Sequence, residues 1–124
     1  MTSQNSTSAI TTHVLDTALG RPAAGVPVRL SRIDPPSTDR PDFDAIVVLA
    51  DAVTDDDGRA TDLGPDQVPA GTYQLRFDTA AYYAATGQEC FFPQVTVTFA
   101  VTDRRHHHVP LLLSPFAYST YRGS

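Results

Sequence analysis

The chain has no tryptophan and no lysine, and only one cysteine and one methionine. A lone cysteine, Cys90, excludes an intrachain disulfide, so packing alone must hold the fold, and the thiol usage agrees with a reducing compartment. Cys90 has no CxxC partner and reads as a small packing residue ahead of Phe91 and Phe92. No apolar run is long enough to span a bilayer, and the start from Met1 to Ser8 lacks the basic and apolar stretches of a secretory signal. A cytoplasmic location and no membrane partner are therefore expected. A basic surplus is also missing: the formal net charge is -5, which argues against nucleic acid as a partner, because phosphate binding needs a basic face. The absence of lysine beside nine basic residues, all arginine, answers no physical need of a soluble surface and reads as genomic bias. There is no Gly-rich phosphate loop, no GxSxG and no internal repeat.

What is present is a chain of 124 residues, enough for one domain with one core. Ten prolines and seven glycines among many Val, Thr and Ala favour short strands joined by turns. Residues 1–8 are expected to form a disordered arm, with the ordered domain covering 9–124. Residues 10–16 read as a strand with Thr11, His13 and Leu15 on one face and Ile10, Thr12 and Val14 on the other. A turn at 20–25 leads to a strand with Val26, Val28 and Leu30 inward, its Pro27 suited to a first residue or an edge. Residues 34–42, with Pro35, Pro36 and Pro41, form a loop, and 45–53 a further strand.

The run Asp55-Asp56-Asp57-Gly58-Arg59 is a turn, in which Gly58 supplies a positive φ and Arg59 points into a short strand. A calcium-loop reading fails, since no glutamate follows at the required spacing. Strands are expected again at 71–78 and 94–101, with a single short helix at 79–87, capped by Asp78 or Thr79 and ended by Gly87. The sum is all-β: a two-sheet antiparallel β-sandwich of about eight short strands with one short helix.

The candidate chemistry lies at the C-terminus, in His106-His107-His108-Val109-Pro110-Leu111-Leu112-Leu113. As a strand, it puts His106, His108, Pro110 and Leu112 on one face and His107, Val109, Leu111 and Leu113 on the other. One face is core and the other presents imidazoles. Three readings stay open on these residues alone: a metal site using His106 and His108 with His13, an acid/base pair, or ordinary polar residues at a strand start. The tail Tyr121-Arg122-Gly123-Ser124 adds a phenol, a guanidinium and a terminal carboxylate directly after strand-like residues.

The residues Thr12-His13-Val14-Leu15-Asp16, Gly58-Arg59, His106 to Pro115 and the terminal Tyr121-Arg122-Gly123-Ser124 closely resemble those of the 5-hydroxyisourate hydrolases, the enzyme branch of the transthyretin-like family. The resemblance covers residues 9–124. It implies an eight-stranded sandwich assembled as a homotetramer, with a channel lined by the face that carries His13 and His108. It further implies a catalytic set of His13, Arg59 and His108, substrate binding by Tyr121, Arg122, Gly123 and Ser124, and neither metal nor cofactor. Transthyretin itself is a carrier with Lys, Glu and Thr where this chain has His13, Arg59 and His108, and it lacks the terminal Tyr-Arg-Gly-Ser. The implied reaction opens the cyclic amide of 5-hydroxyisourate; the alternative is a carrier holding a small aromatic ligand in the channel. A shared fold does not carry function with it, so the expectation rests on those differing residues.

Overall fold

The computed structural model describes residues 7–123. Strands β1 (Ile10–Asp16), β2 (Arg21–Pro22), β3 (Pro27–Asp34), β4 (Ala45–Val53), β5 (Arg59–Ala60) and β6 (Gly71–Phe77) are followed by helix α1 (Thr79–Ala85), β7 (Val95–Val101), β8 (His107–Ser114) and β9 (Ala117–Thr120). One sheet has the order β2-β1-β8-β9 with β5 also on β1, and the other runs β4-β3-β6-β7. This is the expected two-sheet sandwich with one short helix. Among the described residues there are nine strands: β5, two residues long, is the short strand expected at Arg59, whereas β2, also two residues long, pairs with β1 inside a stretch that reads as a turn.

One pairing departs from the antiparallel expectation. β1 and β8 run parallel over their whole length, from Ile10 opposite His107 to Asp16 opposite Leu113. Parallel neighbours need a long crossover, and here the entire second sheet supplies it. All other described pairings are antiparallel.

The core follows from alternation. Ile10 and Val14 of β1, Val28 and Leu30 of β3, Tyr73, Leu75 and Phe77 of β6, and Leu111 and Leu113 of β8 are all buried between the sheets. Pro27 is the first residue of β3, where its missing N–H is tolerated. Asp78, rather than Thr79, caps α1 by accepting a hydrogen bond from the Ala81 N–H, while the Thr79 hydroxyl turns away to donate to the Phe92 carbonyl. The helix is tied to β1 through Asp16, which is buried and accepts from Tyr82 Oη (2.6 Å), Gln88 Nε2 (2.9 Å) and the Leu19 N–H (2.9 Å). Burial alone would raise the Asp16 pKa, but these hydrogen bonds outweigh it and hold the carboxylate below its usual range.

Two expectations meet different surroundings. Residues 1–6 of the expected arm lie outside the described residues, whereas Ser8 is buried and donates its hydroxyl to the Thr61 carbonyl at 2.9 Å. Cys90 is exposed, not packed: Phe92 takes the contact with the core, and the exposed Phe91 stacks edge-on to it.

Candidate active site

The face of the first sheet that points away from the core carries the imidazoles. Val14 is fully buried while His13 is only half-buried, and Val109 and Leu111 are buried while His108 is half-buried. The parallel register brings Thr11 opposite His108, and the antiparallel register of β5 brings Arg59 opposite His13. Residues separated by most of the chain are thereby gathered on one surface.

The turn before β5 sets Arg59 in place. Gly58 has φ +77°, and its carbonyl accepts from the Val14 N–H at 2.7 Å. A Cβ at this position would strike the Val14 carbonyl oxygen, so the close approach of the turn to β1 requires glycine. The Asp55 carboxylate accepts from the Asp57 and Arg59 N–H groups at 2.9 and 3.0 Å, closing the turn on itself. The acidic run therefore works as turn chemistry, as its spacing suggests. No carboxylate among the described residues pairs with the Arg59 guanidinium, in contrast to Arg29, Arg32 and Arg105.

Each imidazole has a distinct environment. His13 Nε2 lies 2.7 Å from the Asp57 carbonyl oxygen. A carbonyl only accepts, so Nε2 carries the hydrogen and Nδ1 is the basic nitrogen. His108 Nδ1 and His106 Nε2 both lie 2.8 Å from the Thr11 hydroxyl, which is buried beneath them. Burial lowers the His108 pKa below 6.5, and the nearby charges of His106, Arg59 and His13 push in the same direction. Both effects favour the neutral form of His108, the state a base needs.

His107 points the other way. It is buried in the sandwich and neither ring nitrogen has a hydrogen-bond partner among the described residues. Together with Val97, Phe99, His108, Tyr121 and Arg122 it lines a cavity of about 250 Å³.

The tail returns along the edge of β8. The Gly123 N–H donates to the His108 carbonyl at 2.8 Å, and the two residues form an isolated bridge. A Cβ on Gly123 would lie 2.6 Å from His108 Cδ2, so the imidazole rests directly on the glycine backbone. Tyr121 and Arg122 remain exposed beside it, and Ser124, the last of the expected tail residues, lies outside the described residues. The structure thus gathers His13, Arg59, His108 and Gly123 on one surface, next to Tyr121 and Arg122. It adds Thr11, which the alternation had placed on this face without a role, and the Asp57 carbonyl, for which a side-chain pattern offers no signal. Among the described residues no group of three or more His, Cys, Asp or Glu is arranged to hold a metal ion.

The sequence profile of the HIUase/Transthyretin family matches residues 10–123. The chain belongs to this family. Within it, the chain is 48% identical over 119 residues to a mouse 5-hydroxyisourate hydrolase, covering 94% of this chain and 96% of that protein. It is 43% identical to a Caulobacter vibrioides 5-hydroxyisourate hydrolase, with 94% and 99% coverage. Among solved structures, it resembles Klebsiella pneumoniae 5-hydroxyisourate hydrolase with a TM-score of 0.76 and 37% identity, covering 93% of this chain and 98% of that one. The carrier branch superposes equally well: sea bream transthyretin in complex with thyroxine gives a TM-score of 0.79 at 32% identity, with 93% and 94% coverage. Backbone shape therefore does not separate the two branches, and the decision falls to the side chains on the imidazole face.

Proposed function

We propose that this protein is a hydrolase that opens the cyclic amide of 5-hydroxyisourate, giving 2-oxo-4-hydroxy-4-carboxy-5-ureidoimidazoline in urate breakdown. The observation that carries the reading is the convergence of His13, Arg59 and His108 on one surface, where burial favours the neutral form of His108. Hydrolases of this family, similar over nearly the whole chain, support it. A channel that merely holds an apolar aromatic ligand gains nothing from two imidazoles and an arginine.

Amide hydrolysis needs a base for water, a cationic or hydrogen-bonding group for the oxyanion, and a proton for the leaving nitrogen. His13, whose Nε2–H is fixed on Asp57, offers Nδ1, and His108 offers Nε2, the nitrogen that Thr11 does not engage. These two imidazoles orient the attacking water, take its proton and return it to the leaving ring nitrogen. Arg59, without a carboxylate partner among the described residues, is available for the substrate oxygens and the developing negative charge. Tyr121, Arg122, Gly123 and Ser124 bound the substrate; Gly123 does so by seating His108. The donors needed for the reaction are all side chains, so no cofactor enters the scheme.

The protein is further proposed to work as a homotetramer in the cytoplasm. The imidazole face is open in a single chain, and Leu19, Phe91, Phe116 and Tyr118 are exposed apolar groups suited to burial between copies. No helix of the described residues is long and apolar enough to cross a membrane. Sedimentation equilibrium checks the assembly, and a monomer at working concentration refutes it.

The functional test generates 5-hydroxyisourate in place from urate with urate oxidase and follows its ultraviolet decay in the presence of chelator. The wild type should accelerate decay well beyond the spontaneous rate, and His108→Ala should remove about 10²–10⁴-fold of that acceleration. Absence of acceleration by folded protein would transfer the reading to a ligand carrier.

A further inference from the structure

Among the described residues, the Thr11 hydroxyl is the one polar group on which two imidazoles of the site converge, at 2.8 Å from His106 Nε2 and 2.8 Å from His108 Nδ1. A hydroxyl has a single hydrogen to give. Thr11 is 3% exposed, and no third partner of its hydroxyl lies within hydrogen-bond distance among the described residues. Leaving that hydrogen unpaired would cost the desolvation of a buried donor. It therefore points at one ring nitrogen, which must be bare, and the oxygen accepts from the other, which must carry a hydrogen. The protonation of His106 and His108 at these two atoms is thereby made complementary.

We propose that Thr11 and His106 are positioning residues of the hydrolytic site, the hydroxyl passing a proton between His108 and His106 so that His108 serves first as base and then as acid. The inference rests on the hydrolase reading. In the resting state His108 carries its hydrogen on Nδ1, donating to Thr11, and Nε2 is free to take a proton from water. As that N–H forms, the His108 Nδ1–H bond breaks and the hydrogen passes to Thr11 Oγ1. The hydroxyl's own hydrogen passes in the same step to His106 Nε2.

Positive charge thus leaves half-buried His108 for exposed His106, where water hydrates it. The groups packed near His108 favour this direction: burial disfavours a charge on its ring, and His106, Arg59 from β5 and His13 from β1 disfavour it further. The step then reverses. The His106 hydrogen returns to Thr11, the hydroxyl hydrogen returns to His108 Nδ1, and His108 Nε2–H goes to the leaving ring nitrogen. No proton is gained or lost in the cycle beyond the one taken from water and delivered to product.

The experiment compares the wild type with Thr11→Val, which keeps the shape and removes the hydroxyl, Thr11→Ser, which restores it, and His106→Gln. Steady-state hydrolysis is measured across pH, and the ring-nitrogen tautomers of the resting proteins are read from ¹H–¹⁵N spectra. Thr11→Val and His106→Gln should each lower kcat by about 10- to 100-fold with KM within about twofold, less than loss of an acid/base group itself, and Thr11→Ser should stay within about threefold of wild type. Wild-type His108 should show a protonated Nδ1, and Thr11→Val should lose that preference.

Thr11→Val with wild-type kcat and an unchanged tautomer would overturn the proposal. Should that variant fail to fold, exposed His106→Gln decides: wild-type kcat and pH profile there would overturn it equally. If the wild type itself does not turn over 5-hydroxyisourate, the functional reading falls, and the tautomer spectra still judge whether the two imidazoles are coupled.

Discussion

Replacing Gly123 by alanine tests the seating of His108 with a single methyl group. The new Cβ would lie 2.6 Å from His108 Cδ2 and 3.3 Å from both Cβ and Cγ of that side chain. Real Cβ contacts do not approach so closely, so either the ring or the tail must move by about 1 Å to reach ordinary van der Waals separation of ~3.5–4 Å. If the tail moves, the 2.8 Å bond from the Gly123 N–H to the His108 carbonyl is lost, worth about 0.5–1.5 kcal/mol. If the ring moves, its 2.8 Å bond to Thr11 is strained and Nε2 is displaced from the position in which it is proposed to activate water. Misplacement of about 1 Å costs on the order of 10²-fold in rate. The tail is exposed and adds little to the core, so the thermal midpoint should fall by less than about 5 °C. The expected outcome in the coupled urate oxidase assay is therefore a loss of one to two orders of magnitude in kcat from a protein that remains folded. Wild-type turnover in Gly123→Ala would refute the close seating of the imidazole and with it the part assigned to the tail.

Other perturbations probe separate parts of the structure. An NMR titration should place the His108 midpoint below the ordinary value of 6.5, and Arg59→Gln, by removing a repelling charge, should move it upward; a wild-type midpoint at or above 6.5 would contradict the electrostatics of the site. Asp16 has a depressed pKa, so its contribution is complete above the usual carboxylate range and is lost as pH falls through its lower folded-state value. Asp16→Asn should accordingly flatten the acid limb of stability against pH, which denaturant titrations at several pH values would detect. Tyr82→Phe leaves that buried carboxylate one donor short and should cost about 1–3 kcal/mol in the same titrations. Gly58→Ala combines a positive φ with a clash against the Val14 carbonyl. It should lose about 1–3 kcal/mol, and an unchanged denaturant midpoint would show that the turn is not locked onto β1.

Period-two alternation was enough to divide the chain into a core face and a presenting face. It placed Val14, Val109, Leu111 and Leu113 inward and His13 and His108 outward, as the buried and half-buried side chains now show. The Asp-Gly turn and the positive φ of Gly58 were equally legible, because both are local properties of a few consecutive residues. The exposure of Cys90 escapes the sequence for the complementary reason: whether a small residue packs depends on what its neighbours leave for it, and Phe92 takes the core contact. The choice of Asp78 over Thr79 as the cap likewise turned on the distant Phe92 carbonyl that claims the Thr79 hydroxyl.

The site itself was legible as residue types and opaque as geometry. A strand pattern states which way a side chain points but not which strand lies beside it, and the parallel register of β1 on β8 is a product of the whole second sheet lying between them in sequence. That register alone brings Thr11 under His108, as the pairing of β5 with β1 brings Arg59 beside His13. The Asp57 carbonyl on His13 and the glycine backbone under His108 are main-chain contacts, which a sequence does not mark. The sequence determined the chemistry available to this protein, because residue type and alternation are local. Which nitrogen carries a proton, and which group holds it there, was decided only by long-range packing.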